Sequence, residues 1–277
     1  MYTDNEALRR LILRQRVLAA AHRGVKGGNV LQNTCLAYEN ALLHGADLVE
    51  VDAAMTKDGV FYAFHDGEEP YVLGVQENIR TMDSRRAESL ELINSLNLSS
   101  GQRLERVEAV FDFLRGKCFI NVDRAWFYWE EIIRLILKCG MEDQVILKSA
   151  PEPQYLEMME KIGNGIMYMP ILHEMEEWEQ VKRYDINVAA AELIFKDLDS
   201  PFLAAGFMKE LHGAGIAPWV NSLTLDGEVR LSGGLDDNRA IAMGCEAVWG
   251  KLADYGFEII QTDWPALLKG WAGSRGW

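Results

Sequence analysis

Residues 17–66 read VLAAAHRGVKGGNVLQNTCLAYENALLHGADLVEVDAAMTKDGVFYAFHD, and this stretch decides the fold. Residues 17–22 and 48–54 are short apolar runs suited to parallel strands buried on both faces. A third run, residues 60–65, follows after only Thr56-Lys57-Asp58-Gly59. A parallel crossover needs a dozen or more residues, so this run must return antiparallel, and Asp58-Gly59 is a strong hairpin turn. The return places His65 beside the end of the second strand.

Outward from this stretch, strands and helices alternate along the chain. Further strands are expected at residues 118–123, 145–149, 166–171, 187–193, 217–222 and 258–262. Amphipathic segments lie between them, such as 127–139, 153–162, 175–184 and 201–212. Eight strand–helix units predict an α/β fold, a closed (β/α)₈ TIM barrel rather than an open sheet. The barrel carries an extra β-hairpin and a polar, irregular insertion, about residues 67–103, after the second strand. At 277 residues the chain reads as a single domain spanning 1–277, since barrels of this type run to about 250 residues.

Composition narrows the function. A formal charge of −14 excludes a nucleic-acid partner, which needs clustered Lys and Arg, and any phosphate ligand needs locally concentrated positive charge. Cys35, Cys118, Cys139 and Cys245 have no metal or redox spacing and read as buried, reduced thiols. Met1 to Arg16 is charged and helix-prone, not a signal peptide, and nowhere do about twenty apolar residues run together. A cytoplasmic protein without stable membrane anchoring is expected; a homo-oligomer is compatible with the sequence.

Active sites of such barrels form at the C-terminal strand ends. There the first strand ends in His22-Arg23-Gly24, the second carries Glu50 and Asp52, and the third ends at Asp123. Glu50 and Asp52 point to one face of their strand, and two buried carboxylates side by side repel unless a cation lies between them. With Asp123 they make an oxygen site for a divalent cation, Mg²⁺ or Ca²⁺. His22 and His65, flanking that site, fit a general acid and base. His44 and His212 fall at helix ends and read as structural; His173, after the fifth strand, reads as structural with a place at the rim as the alternative, and Glu192 as packed or paired with a pocket-facing place as the alternative.

The ordered set Ala21-His22-Arg23-Gly24, Asn33-Thr34, Val49-Glu50-Val51-Asp52, Thr56 to Val60 and His65-Asp66 resembles the signature of glycerophosphodiester phosphodiesterases. Weaker similarity continues to Thr262-Asp263-Trp264-Pro265. The resemblance implies metal-dependent cleavage of a small-molecule phosphodiester, a glycerophosphodiester, to glycerol 3-phosphate and an alcohol. The glycerol 2-hydroxyl would attack phosphorus, and water would open the cyclic phosphate. It implies His22 and His65 as the acid/base pair, Glu50, Asp52 and Asp123 as metal ligands and Arg23 on a phosphate oxygen, and it leaves Trp219 either in the wall of the glycerol pocket or as a core aromatic.

Three positions depart from the family's pattern. Gln32 replaces a Glu, Asp123 replaces a Glu, and Ala125 stands where the family has Lys. Lys148, at the end of the fourth strand, is expected to supply the missing cation to the substrate, with little role in stability. Strand alternation would point Arg124 away from the axis. Other readings of the same site are a sugar phosphodiester or lysolipid head group as substrate, or a silent phosphodiester-binding barrel.

Overall fold

Strands pair here in the order the alternation predicts, and the ring closes. The computed structural model describes residues 5–163, 165–225 and 229–277. The strands are β1 (Leu18–Ala21), β2 (Leu48–Met55), β3 (Phe61–Ala63), β4 (Glu91–Ile93), β5 (Ser99–Arg103), β6 (Phe119–Asp123), β7 (Val145–Ser149), β8 (Met167–Leu172), β9 (Ala190–Leu193), β10 (Ala217–Asn221) and β11 (Ile259–Thr262). All except β3, β4 and β5 join one parallel sheet, which closes where Ala20 and Ala21 of β1 face Leu48 and Val49 of β2. This is a (β/α)₈ barrel. Strand β3 returns antiparallel on β2, and Gly59 takes φ +85° in the turn between them.

Helices α1 (Glu6–Gln15), α2 (Cys35–Leu43), α3 (Glu69–Val72), α4 (Ser84–Ser89), α5 (Val107–Leu114), α6 (Trp129–Cys139), α7 (Pro153–Ile162), α8 (Met175–Val181), α9 (Ala205–Ala214), α10 (Asp237–Met243), α11 (Lys251–Tyr255) and α12 (Pro265–Ser274) run in chain order. Their starts show ordinary capping chemistry: the Thr34 hydroxyl accepts the Ala37 N–H, and Pro153 opens α7. The part of the charged N-terminal segment formed by residues 1–4 lies outside the described residues. Among the described residues no helix is long and apolar enough to cross a membrane.

Alternation along each strand sorts the core into two layers. Outward residues such as Val49, Val51, Ile120, Val122, Leu147 and Val220 pack under the helices. Inward residues Leu18, Leu48, Ile146, Met167, Ala217 and Ile259 fill the N-terminal half of the barrel, where Leu8 and Ile12 of α1 plug the opening. Further along, the inward positions become polar.

Two expectations need correction. The insertion is not irregular: it carries α3, α4 and the β4–β5 hairpin, and Val72, Leu73, Ile79, Met82 and Leu92 form a small core against Tyr62 and Phe64. Those apolar residues lack a period because they converge from short elements rather than from one face of a long one. The four cysteines are unpaired, but each is half-buried rather than fully enclosed.

Candidate active site

The register of β2 and β6 sets Glu50 opposite Asn121 and Asp52 opposite Asp123. Glu50, Asp52 and Asp123 each bring one carboxylate oxygen within 4.8 Å of the others. Lys148, from the next strand, enters the same group. Its ammonium lies 2.9 Å from Asp123 Oδ2, 3.1 Å from Glu192 Oε2 and 3.3 Å from Glu50 Oε1.

The charges are unevenly balanced. Burial pushes the Asp123 carboxyl up, and Lys148 offsets this only in part, so its net direction is upward. Burial acts on Glu50 too, but Lys148 and His22 outweigh it and hold Glu50 below the usual carboxylate range. Lys148 stays charged because Asp123, Glu192 and Glu50 overcome its own desolvation. Glu50 Oε2 is buried without a hydrogen-bond partner among the described residues. An orphaned carboxylate oxygen amid three converging acids fits a divalent cation held by Glu50, Asp52 and Asp123.

The two histidines stand at this cluster in different states. His22 follows β1, and its Nδ1 lies 2.9 Å from Asp263 Oδ1, with Nε2 3.7 Å from Glu50 Oε2. Burial alone would lower its pKa, yet the Asp263 hydrogen bond and the Glu50 charge more than offset this and raise it. The Phe64 N–H donates to the Asp52 carbonyl at 2.9 Å, which brings the backbone of the next residue, His65, back to the end of β2. His65 Nδ1 is buried and has no hydrogen-bond partner among the described residues.

Around them runs a polar frame. Asn33 Nδ2 donates to Asp52 Oδ2 at 2.8 Å, and its Oδ1 accepts the Asp52 N–H and the Tyr38 hydroxyl. Arg23 pairs with Asp52 at 3.1 Å and with Glu68 at 2.6 Å, and Gln32 Nε2 donates to Glu68. Arg23, Asn33 and Arg124 all take positive φ near 56–60°. Three such non-glycine residues at one rim are backbone strain of the kind that gathers at working sites. Gly24 is fixed for another reason: a Cβ there would sit 2.7 Å from the Ala37 backbone.

Several expected roles change. Trp219 is fully buried in the apolar half of the interior and donates to Asn221 Oδ1, so it does not wall an open pocket. Lys148 is only 3% exposed, held by three carboxylates, and so is part of the structure it was expected to leave untouched. Arg124 does not follow strand alternation; its φ of +60° ends β6 and swings its guanidinium to Asp66, 2.7 Å away. Ala125, at the family's Lys position, is buried. His212 takes its expected structural place against the Gly256 carbonyl, and His173 is exposed beside Glu177.

Except for Glu192, the other participants carry no signal of their role in the sequence. Asp263 stands inside a motif of the closing strand, yet nothing local shows that it orients His22. Asp237 accepts the Thr262 hydroxyl and the Asp263 N–H, and burial pushes its carboxyl up to about 6. Glu68 binds Arg23 although no strand pattern points to it. Glu192 is paired as expected, but inside the cluster, where Asn221 also donates to it. Its inward phase in residues 190–193 was the available signal.

The comparisons with known proteins agree with this fold. Residues 22–126 match the glycerophosphoryl diester phosphodiesterase family, and residues 168–272 match a domain of unknown function. The chain is 52% identical over 186 residues to a glycerophosphodiester phosphodiesterase of Bacillus altitudinis, covering 62% of this chain and 76% of that one. It is 25% identical to one from Caldanaerobacter subterraneus, covering 80% of this chain and 92% of that protein. A crystal structure of a glycerophosphoryl diester phosphodiesterase from Parabacteroides distasonis superposes with a TM-score of 0.75 at 18% identity, covering 94% of this chain and 86% of that one. A phosphodiesterase of Oleispira antarctica, solved with the product sn-glycerol-3-phosphate, gives 0.68 at 15% identity, covering 93% and 96%.

Proposed function

Because this chain belongs to the glycerophosphodiester phosphodiesterase family of phosphoric diester hydrolases, we propose that it hydrolyses a glycerophosphodiester to glycerol 3-phosphate and an alcohol at the rim built by His22, His65 and the carboxylate cluster. What supports this reading is the convergence of three acids with His22, whose Nε2 lies 3.7 Å from Glu50 Oε2. Glu50, Asp52 and Asp123 would hold the cation, Mg²⁺ or Ca²⁺, which supplies charge neutralisation at the phosphoryl oxygens when bound.

The chain's own groups account for the rest. Asp263 fixes the His22 ring through Nδ1, leaving Nε2 facing the cluster for proton transfer. His65, its Nδ1 without a partner among the described residues, would be the second proton carrier. One histidine takes the proton of the glycerol 2-hydroxyl as it attacks phosphorus, and the other protonates the departing alcohol oxygen. Their roles reverse when water opens the cyclic phosphate. Arg23 lies beside Asp52, within reach of a phosphate oxygen, and Lys148 lends positive charge from below. Both matched segments fall on one barrel sheet, which supports one domain with residues 67–103 as its insertion.

The test is turnover of glycerophosphocholine, with and without chelator. Activity lost in chelator and restored by Mg²⁺ or Ca²⁺ is expected. Full turnover in excess chelator removes the cation from the reading, and no turnover of this or any other glycerophosphate ester favours a silent binding barrel.

A further inference from the structure

The two histidine sides of the rim differ in what surrounds them. On the His65 side, Asp66 is clasped by Arg80 at 2.6 Å and Arg124 at 2.7 Å, and Glu68 by Arg23, so the surroundings are charged and mutually paired. On the His22 side, a groove of about 680 Å³ is lined by Gly24, Val25, Asp263, Trp264 and Leu267, together with polar side chains such as Thr224 and Asn238. Trp264 is 48% exposed and Leu267 45%, an open apolar surface directly beside the carboxylate that orients His22.

Building on the proposed function, we propose that this groove is the subsite for the leaving alcohol, and that it selects a bulky apolar alcohol over a small or cationic one. A phosphodiester has two ester arms. The glycerol arm carries hydroxyls and must present one as nucleophile, so it is assigned to the charged side, whose carboxylates and guanidinium groups keep lone pairs and N–H groups beyond their mutual pairs. The other arm needs none and fits the groove. The groove's carboxylates are already engaged: Asp263 by His22, and Asp237 by the Thr262 hydroxyl and the Asp263 N–H. Lys26, also in its lining, disfavours a cationic head group. Its volume exceeds the needs of methanol or ethanolamine and admits a medium alkyl chain or an aryl ring with the Trp264 face against it.

The test uses the full chain with added divalent cation and a series of glycerophosphate esters: methyl, octyl and choline. The expected kcat/KM is at least about tenfold higher for the octyl than for the methyl ester, since even one methylene in a fitted apolar pocket is worth about that factor. Leu267→Asp and Trp264→Ala should collapse the octyl-to-methyl ratio towards unity. A flat series, a preference for choline, or variants that leave the ratio intact would each overturn the assignment. 1-Palmitoyl lysophosphatidylcholine, with its chain on the glycerol arm, should gain nothing from the groove; if its turnover depends on Leu267 instead, the groove serves the other arm and the inference fails. Should no ester be cleaved, the proposed function fails, and calorimetry in chelator still decides the groove. Octyl ester binding tighter than methyl in a Leu267-dependent way upholds it, and equal binding overturns it.

Discussion

The two halves of the barrel interior are built from the same strands and read oppositely. In the N-terminal half, Leu18, Leu48, Ile146, Met167 and Ile259 meet Leu8 and Ile12 of α1 in a dry plug. One or two inward positions further along, the same strands present Glu50, Asp52, Asp123, Lys148 and Glu192. The lower half lowers the free energy of folding by burying apolar area. The upper half gathers like charges that only each other's counter-ions hold together. The difference teaches that this fold separates its stability from its chemistry along one axis, with Lys148 as the point where they overlap.

The separation breaks most visibly at the histidines if it is wrong. His22→Ala and His65→Ala should each lower kcat by roughly 10²-fold or more, with the melting temperature nearly unchanged. Near-normal turnover in either variant withdraws that residue from catalysis, and unfolding of either would erase the distinction between the halves.

Lys148→Met probes the overlap. It leaves Glu50, Asp123 and Glu192 buried without their cation, a loss of about 3–5 kcal/mol for a broken buried pair. Denaturant unfolding in chelator should show it, and added Mg²⁺ or Ca²⁺ should restore more stability to the variant than to the parent. A variant as stable as the parent in chelator would mean that the carboxylates simply take up protons, as the raised Asp123 foreshadows. Arg124→Met, which loses only a half-buried pair with Asp66, should do less.

Leu8→Ala tests the plug from the other direction. Deleting a fully buried leucine costs roughly 2–5 kcal/mol, while kcat and KM measured well below the melting temperature should not move. A kinetic defect there would show that the lower half shapes the site.

The smallest effect expected is a pH dependence at Asp237. Its folded carboxyl is pushed up to about 6, above an ordinary value near 4, so the folded state binds this proton more tightly. Its contribution to stability is therefore full at low pH and is lost as pH rises through 6. Asp237→Asn removes that loss, so its stability relative to the parent should climb between pH 4 and 7 by on the order of 2 kcal/mol. A difference that stays flat across this window would show that Asp237 titrates normally.

Much of the site could be read from residues 17–66, because each motif there is local: a strand end, a tight turn, two acids in phase. Asp263 and Glu68 could not, since their partners His22 and Arg23 lie 241 and 45 residues away in the chain. Arg124 misled because alternation holds only while a strand continues, and its left-handed φ belongs to the turn that leads from β6 into the helical residues 125–128. Trp219 misled because motif similarity carries no depth coordinate along the barrel axis.

By itself the sequence determined the barrel, the antiparallel return of β3 and the convergence of Glu50, Asp52 and Asp123, because strand periodicity and connection length are properties of consecutive residues. Only the tertiary structure decided that Lys148 lies among the acids, that Asp263 orients His22 and that an apolar groove opens beside them. Closure of the sheet brings β1 against β11 and β7 against β6, and the charge and hydrogen-bond partners of a buried group depend on distance in space, which spacing along the chain does not encode.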